Sequence, residues 1–302
     1  MNSFFWIILF GLGMALGSFL NVLIFRYDPC GKLFNFKRLN GRSHCPQCRE
    51  NLCWFDLIPL FSFLFLLGRC RYCKKQISWQ YPIVEFLSGV IFIAVPLFLN
   101  RFYWVSNLSF SSLELSFWYY VFVFCWIAVF LLFLAMSVID FRDYVIPDEI
   151  NLFLAILGIA ITIFLTAESG LFPRFDSSFL GHYALMFSFF DNIILNRILC
   201  SLFIGLLFSA LSILSRGRAM GFGDAKLAFA VGLIFGWPDI ILAVMLAFIL
   251  GGLVGLGLIV FRGKNMRDKL PFAPFFVVGM ILTFFLGFTL ISSYFNLFNF
   301  LV

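Results

Sequence analysis

The sequence predicts an all-α polytopic membrane protein with about eight transmembrane helices and one small polar insert between the first two. Two observations support this fold class: 63% of the 302 residues are hydrophobic and only 12% are charged, and long apolar runs recur along the chain. A soluble domain is typically about one quarter charged. The composition therefore excludes disordered, collagenous, coiled-coil and nucleic-acid-binding proteins.

The apolar runs have about the 20-residue length that crosses a bilayer as a helix. They cover residues 4–25, 82–99, 117–139, 150–166, 193–214, 225–235, 240–261 and 275–300. The sixth run is short and ends at the helix-breaking cluster Gly236-Trp237-Pro238-Asp239, so seven spans is the alternative count. The first run has no basic region before it, which predicts a retained anchor and not a cleaved signal peptide.

The charge distribution predicts the orientation of these spans. Placing the amino terminus outside puts four connecting segments on one face: residues 26–81, 140–149, 215–224 and 262–274. With Lys226 at their edge, they hold all of the 21 Lys and Arg residues except Arg101, Arg174 and Arg197. By the positive-inside rule this face is cytoplasmic, and both termini lie outside.

The insert, residues 26–81, is the one segment of soluble character, and its cysteines predict a metal site. Cys45 and Cys48 form one C-x-x-C pair, and Cys70 and Cys73 form a second pair farther along the insert. Two such pairs at this separation are typical of a structural zinc site with four thiolates. The alternative is a pair of disulfides, which a reducing cytoplasm disfavours. No fifth ligand is needed, although His44 and Cys53 are near in the sequence, and no partner is predicted for Cys30, Cys125 and Cys200.

Two acidic clusters meet the predicted membrane boundary on the cytoplasmic side. Asp140 ends the third apolar run, and Asp224 follows Gly221-Phe222-Gly223 before the sixth. A carboxylate at membrane depth is costly and usually functional. Two facing carboxylates would share one proton, so that one activates water while the other protonates the scissile amide. The pair therefore predicts hydrolysis of a peptide bond.

Ordinary structural roles compete with catalysis at several of these positions. Asp143, Asp148 and Glu149 are expected to be exposed loop charges or to favour the start of a helix. Asp224 could instead cap its own helix or pair with Lys226. The glycines inside the apolar runs indicate close helix packing and not a nucleotide loop; they are Gly11, Gly13, Gly17, Gly251 and Gly255.

Six blocks, taken in order, resemble bacterial type IV prepilin peptidases. They are GSFLNV at residues 17–22, the two C-x-x-C pairs, YPIVE at 81–85, IDFRDYVIPD at 139–148, GFGDAK at 221–226 and PFAPF at 271–275. The resemblance implies an aspartic endopeptidase of the Gly-x-Gly-Asp class in the bacterial inner membrane. Its substrates would be type IV prepilins and type II secretion pseudopilins, cut at the cytoplasmic membrane face.

By motif position, the resemblance assigns catalysis to Asp140 and Asp224. Many members also methylate the new amino terminus with S-adenosylmethionine, and those members carry the cysteine-bearing insert, so this cofactor is implied beside Zn²⁺. The corresponding domains are a first transmembrane helix at residues 1–25, the insert at 26–81 and a peptidase domain at 82–302. The outer stretch 167–192 is longer than the family pattern, and the sequence gives it no role.

Two other functions fit parts of the sequence. One is a Gly-x-Gly-Asp intramembrane peptidase for other substrates, which the blocks outside that motif disfavour. The other is a polytopic transporter with a regulatory zinc module, whose carboxylates would lie nearer the membrane centre. The expected partners are prepilin or pseudopilin substrates and the lipid bilayer, with no nucleic acid.

Overall fold

The computed structural model describes residues 3–29, 41–104, 113–167, 178–187, 192–217, 220–262 and 270–297. Within these ranges the regular elements are helical, and the only β-structure is two isolated bridges. The α-helices are α1 Ser3–Arg26, α2 Phe61–Phe65, α3 Gln80–Trp104, α4 Leu113–Asp143, α5 Asp148–Ala167, α6 Ala184–Phe187, α7 Ile193–Leu214, α8 Phe222–Phe235, α9 Asp239–Arg262 and α10 Ala273–Leu297. Two 3-10 helices, Trp54–Leu57 and Gly181–Tyr183, complete the described elements.

Seven of the described helices are long and apolar enough to cross a membrane: α1, α3, α4, α5, α7, α9 and α10. The sixth predicted run forms α8, which has 14 residues. At 1.5 Å per residue it is about 21 Å long, shorter than a hydrocarbon core of about 30 Å. It ends where Gly236 adopts a left-handed φ of 68°. The predicted all-α membrane architecture is confirmed, and the turn cluster correctly marked the short helix.

The chain forms two compact units, and the first comprises Met1–Leu99 with Trp126–Ala135. In this unit, α1 lies directly against α3 through glycine. A Cβ added at Gly13 would lie 2.7 Å from the Ser88 carbonyl oxygen, so a larger residue cannot fit there. The Asn21 side chain donates a hydrogen bond to the Tyr81 carbonyl at 3.1 Å, joining the end of α1 to the start of α3. The predicted packing role of Gly13 is confirmed, whereas Gly11 faces open space.

The second unit comprises Asn100–Cys125 with Met136–Val302, and α8 lies at its centre. Helices α5 and α7 pack on α8, and α9 packs on α10. Helix α7 runs antiparallel to α8: its Ser201 hydroxyl donates to the Phe229 carbonyl at 2.6 Å, and its Arg197 reaches the later Leu233 carbonyl at 3.0 Å. Helix α5 runs parallel to α8. The starts of α5 and α8 therefore lie at the same end of the unit as the end of α7.

Part of the outer stretch 167–192 is described, at residues 178–187. Phe179, Leu180 and Tyr183 are buried there. The Tyr183 ring stacks on Phe295 of α10 with the ring centroids 5.2 Å apart. This part of the stretch is therefore packed into the second unit. Asp176 and Arg174 lie outside the described residues.

The insert contains an apolar segment that the sequence analysis did not single out. The 3-10 helix Trp54–Leu57 and helix α2 carry large apolar side chains that are mostly exposed. Trp54 is 78% exposed and Phe65 is 85% exposed. The search for apolar runs of about 20 residues did not identify this segment because it is shorter than a transmembrane helix.

Candidate active site and metal centre

Asp140 lies in the last turn of α4 and is buried, with 5% of its surface exposed. The backbone N–H of Ala273 donates a hydrogen bond to its Oδ2 at 3.1 Å. Ala273 is the first residue of α10, so this N–H is one of the unpaired donors at the positive end of that helix dipole. The start of α10 thus fixes the position of the Asp140 carboxylate.

Asp224 is the third residue of α8 and is likewise buried, with 9% exposed. The Gly221 backbone N–H donates to its Oδ2 at 3.1 Å, the return bond of a capping box. The predicted capping role of Asp224 is therefore confirmed. Gly223 brings this turn close to the α4–α5 connection, because a Cβ at Gly223 would lie 3.3 Å from the Cβ of Ile146.

The structure brings the two predicted aspartates together. Asp140 and Asp224 belong to the same unit, and the turn that carries Asp224 lies against Ile146 in the connection that follows the Asp140 helix. The end of α4 and the starts of α5, α8 and α10 meet around them. Two buried carboxylates on separate helices, each fixed by one backbone donor, can act as a general acid and base on a water molecule.

Two further acidic residues of the first cluster, Asp143 and Asp148, form ion pairs near the surface. Asp143 pairs with its neighbour Arg142 at 2.6 Å. Asp148 is in the first turn of α5 and pairs with Lys226 of α8 at 2.7 Å, with 68% of the Asp148 side chain exposed. Their predicted role as surface charges is confirmed. Lys226 therefore forms its ion pair with Asp148. The alternative considered from the sequence, a pair between Lys226 and Asp224, is wrong.

The four insert cysteines form one cluster. The Sγ atoms of Cys45, Cys48, Cys70 and Cys73 all lie within 4.8 Å of one another, and all four thiols are free. Cys45 Sγ and Cys73 Sγ are 4.0 Å apart. A tetrahedral zinc with Zn–S bonds of about 2.3 Å separates its sulfurs by about 3.8 Å, whereas a disulfide would need about 2.05 Å. The donor set and spacing fit Zn²⁺, and the disulfide alternative is not formed.

The two cysteine pairs have the same local backbone. After each pair the next residue is left-handed, Arg49 at φ 58° and Lys74 at φ 59°. The chain then turns back onto the first cysteine of each pair: the Cys45 N–H donates to the Glu50 backbone carbonyl at 3.0 Å, and the Cys70 N–H donates to the Lys75 backbone carbonyl at 2.8 Å. The insert is thus built from two equivalent turns, each of which presents two thiols to one point.

The first turn favours one thiolate. Burial acts to raise the pKa of the Cys45 thiol, but the backbone N–H groups of Cys48 and Gln47, together with the thiols of Cys48 and Cys70, lower that pKa to about 7. The Glu50 backbone N–H acts to lower the pKa of Cys48, but burial and the neighbouring thiols raise it to about 11. The turn therefore favours deprotonation of Cys45, the state in which a thiol binds zinc. Cys53 contacts the Tyr72 hydroxyl at 3.4 Å and is not part of the cluster, while Cys30 lies outside the described residues.

A second buried polar group, which the sequence interpretation missed, lies at the opposite end of α8. Arg197 of α7 is 3% exposed, and its Nη1 donates to the carbonyls of Leu233 and Ile234 at 3.0 and 2.8 Å. It therefore satisfies the unpaired carbonyls at the end of α8. The sequence feature that could have revealed this role is an arginine inside an apolar run. The charge distribution alone places that arginine toward the outer face.

The turn after α8 is held by the residues around Arg197. The Asn196 side chain donates to the Trp237 carbonyl at 3.0 Å and accepts from the Trp237 N–H at 2.9 Å. Asp239 is fully buried and accepts from the Ser178 hydroxyl at 2.7 Å and the Phe179 N–H at 3.2 Å. Side chains from three parts of the chain thus close this end of α8.

Two family models match the regions of the chain that contain the cysteine cluster and the two aspartates. The model of the bacterial peptidase A24 N-terminal domain matches residues 11–99, and that of the type IV leader peptidase family matches residues 125–256. The chain belongs to the type IV leader peptidase family. The first match contains the four clustered cysteines, and the second contains Asp140 and Asp224. Neither alternative from the sequence, the transporter or a peptidase for other substrates, is favoured by these matches.

Several curated relatives, each named prepilin leader peptidase/N-methyltransferase, align along nearly the whole chain. The protein of Pectobacterium carotovorum subsp. carotovorum is 29% identical over 95% of this chain and 92% of its own length. That of Legionella pneumophila is 28% identical over 93% and 91%, and that of Aeromonas hydrophila is 26% identical over 90% and 87%. No solved structure matches the chain significantly.

Proposed function

We propose that this chain is a membrane-embedded aspartic endopeptidase that removes the leader peptide of type IV prepilins and type II secretion pseudopilins. The observation that supports it best is the pair of buried carboxylates, Asp140 and Asp224, on two helices of one unit. The peptidase family and the names of the relatives supply the reaction and the substrate class.

Catalysis in this proposal needs only the two aspartates and one water molecule. One ionised carboxylate takes a proton from the water as it attacks the scissile carbonyl, and the other, protonated, donates to the carbonyl oxygen. The tetrahedral intermediate then collapses as the leaving amine takes a proton from the pair. Ala273 N–H and Gly221 N–H each hold one carboxylate oxygen and leave the second oxygen of each aspartate for this chemistry.

The substrate meets these groups at the cytoplasmic membrane face. The apolar helix of a prepilin lies in the bilayer, and its basic leader stays in the cytoplasm. Basic connecting segments on the same side as Asp140 and Asp224 support this orientation, with both termini outside in the bacterial inner membrane. On this basis residues 1–25 are an anchor, residues 26–81 the insert and residues 82–302 the peptidase domain.

The insert holds a structural Zn²⁺ in this proposal. Cys45, Cys48, Cys70 and Cys73 would supply four thiolates, which would leave no position on the metal for a water or a substrate. When bound, the metal would cross-link the two turns, and its role would be structural and not catalytic.

Methylation of the new amino terminus with S-adenosylmethionine is the proposed second activity. It follows from the relatives, which are named prepilin leader peptidase/N-methyltransferase. Within the described part of the chain no set of side chains identifies the S-adenosylmethionine site.

The decisive experiment is incubation of the purified protein with a prepilin, with cleavage and methyl incorporation both read by mass. Asp140→Asn and Asp224→Asn should each abolish cleavage, because each removes one half of the proton-sharing pair. Asp143→Asn is the matched control, since Asp143 pairs with Arg142 at the surface, and it should keep most of the activity. An essential Asp143 with a dispensable Asp140 would contradict the assignment.

The same assay separates the second activity. The Asp140→Asn protein should still transfer a methyl group to a pilin that has already been cleaved, because methyl transfer does not use the carboxylate pair. Full cleavage by the wild-type protein without methyl incorporation would make this chain a peptidase alone.

A further inference from the structure

We infer that the insert carries a membrane-docking segment, residues 52–67, which lies in the headgroup region of an anionic lipid surface. The segment comprises the 3-10 helix Trp54–Leu57, helix α2 and the turns beside them. Its occupant is the bilayer itself. This role is independent of peptide cleavage and of zinc binding.

The first observation is the apolar surface of the segment. Only one of its residues, Asp56, is charged. The most exposed apolar side chains are Trp54 at 78%, Leu64 at 66%, Phe65 at 85% and Leu67 at 86%. Side chains of this size on a surface open to water would form a costly apolar patch, and contiguous patches of this kind mark interaction sites.

The second observation is that the single acidic charge is hidden. The Asp56 side chain is 3% exposed and pairs with Arg71 at 2.8 Å. The guanidinium of Arg71 lies over the Phe55 ring, 4.6 Å from its centroid. The acidic group therefore does not oppose a negatively charged membrane, while the apolar side chains around it stay exposed.

The third observation concerns the depth of the segment, which is set by its attachment to a membrane-crossing helix. The Leu60 N–H donates to Glu85 Oε2 at 2.8 Å. Glu85 is the sixth residue of the membrane-crossing helix α3, about 8 Å along the helix from its first residue. The segment is thus attached to the side of a transmembrane helix within its first turns, where headgroups and the outermost acyl carbons lie.

The fourth observation is the composition of the edge of this surface. Trp79, directly before α3, is 71% exposed, and its ring lies 5.1 Å from that of Phe63 in α2. Tryptophan at this position is typical of a membrane–water interface. Three further cations, Arg69, Lys74 and Lys75, are exposed beside the segment. Such cations complement anionic headgroups.

The test measures the surroundings of Trp54 in the full-length, zinc-loaded protein. The protein is placed in nanodiscs of phosphatidylcholine and phosphatidylglycerol, with or without bromine on the acyl chains. The emission of Trp54 is the difference between the wild type and Trp54→Phe. We expect this emission to be blue-shifted and to be quenched by the brominated chains. The control is Gln47→Trp in the Trp54→Phe background, since Gln47 lies exposed on the first cysteine turn; its emission should not be quenched.

Two results would overturn the inference. Red-shifted, unquenched emission from Trp54 would place it in water. Blue-shifted but unquenched emission would mean that protein covers it, either a second copy of this chain or the apolar helix of a substrate.

A charge substitution gives an independent measure. Phe65→Asp should release the segment and speed tryptic cleavage after Arg69 and Lys75 several-fold, whereas Phe65→Leu should leave the rate unchanged. Zinc content should stay the same in both variants, because Phe65 is exposed and does not pack on the cysteine cluster. Equal cleavage rates for Phe65→Asp and Phe65→Leu would contradict docking.

Discussion

The two aspartates of the candidate active site are held in different ways. Asp140 is fixed by the first N–H of a helix far along the chain, whereas Asp224 is fixed by the turn that begins its own helix. The position of Asp140 therefore depends on how α10 is packed, and that of Asp224 on the local Gly221-Phe222-Gly223 backbone. In the proposed mechanism the 271–275 segment is thus a positioning element, although none of its side chains need touch the substrate.

The ion pair between Lys226 and Asp148 gives the first prediction, which concerns pH. Two carboxylates that share a proton give a bell-shaped activity profile, since activity is lost when both are protonated or both ionised. Lys226→Met removes a positive charge near the pair, so the second proton is held more tightly and the basic limb moves to higher pH. Asp148→Asn removes a negative charge, and the basic limb moves to lower pH.

The expected shifts are about a few tenths of a pH unit, because the ion pair is exposed and screened by solvent. Rates of prepilin cleavage measured across pH for the wild type and both variants would check this. Shifts in the same direction for both variants would show that the ion pair acts through structure and not through charge.

The ion-pair partner of Lys226 could not be predicted from nearness in the sequence. Asp224 is only two residues away, but residues two apart on a helix point to different faces. Asp148, which lies 78 residues away in the chain, comes within reach because α5 and α8 run parallel from the same end of the unit. The two catalytic candidates could be predicted because each motif stood at the edge of an apolar run, whereas their hydrogen-bond donors required the fold.

At the scale of elements, the cysteine turns give a prediction about metal content. The purified protein should carry about one zinc per chain, and serine at Cys45, Cys48, Cys70 or Cys73 should lower occupancy and destabilise the insert. Prepilin cleavage should persist, at least in part, because a metal closed by four thiolates keeps no open position for catalysis. Cys53→Ser is the matched control, as Cys53 lies in the same insert but outside the cluster. A metal-free protein with a disulfide between the two turns, established by elemental analysis and peptide mapping, would disprove this.

The arginine at the far end of α8 gives a prediction about stability. Arg197→Met leaves two buried carbonyls without their donor, and hydrogen bonds from a charged group contribute about 1.5–3 kcal/mol each. We therefore expect a clearly lower Tm in nanodiscs. Arg197→Lys should recover only part of the lost Tm, because lysine keeps the charge but lacks the planar fork of donors.

Arg216→Met is the control for Arg197, because Arg216 is exposed just beyond the other end of α7. It should leave Tm unchanged. An unchanged Tm for Arg197→Met would show that water replaces the arginine at no cost. In that case Arg197 would not be what holds the end of α8.

The helices themselves were largely predictable, because a bilayer demands apolar segments of a fixed length and those are visible in the sequence. The exposed apolar segment at residues 52–67 escaped that criterion because it is too short to span. The network around Arg197, Asn196 and Asp239 also escaped it, since hydropathy counts a charge without indicating whether another element will bury it.

At the scale of the whole molecule, the charge distribution predicts which ends face the cytoplasm. Reporter fusions after Lys75, Asp148, Arg218 and Lys269 should all report the cytoplasm, because basic connections are retained on that side. A fusion near Asp176 should report the outside. A cytoplasmic signal at Asp176 would contradict this orientation and the eight-span model.

The length of α8 has a consequence for the membrane as a barrier to ions. The helix is about 21 Å long and lies between two helices of full transmembrane length, α5 and α7. In the proposed mechanism the Asp224 end of α8 admits water for hydrolysis, so a continuous polar path through the unit would leak protons and dissipate the membrane potential. The other end of α8 is closed by side chains that hydrogen-bond to the backbone and to one another. They belong to Ser178, Asn196, Arg197 and Asp239. We therefore expect the protein to hydrolyse peptides within an energised membrane without uncoupling it.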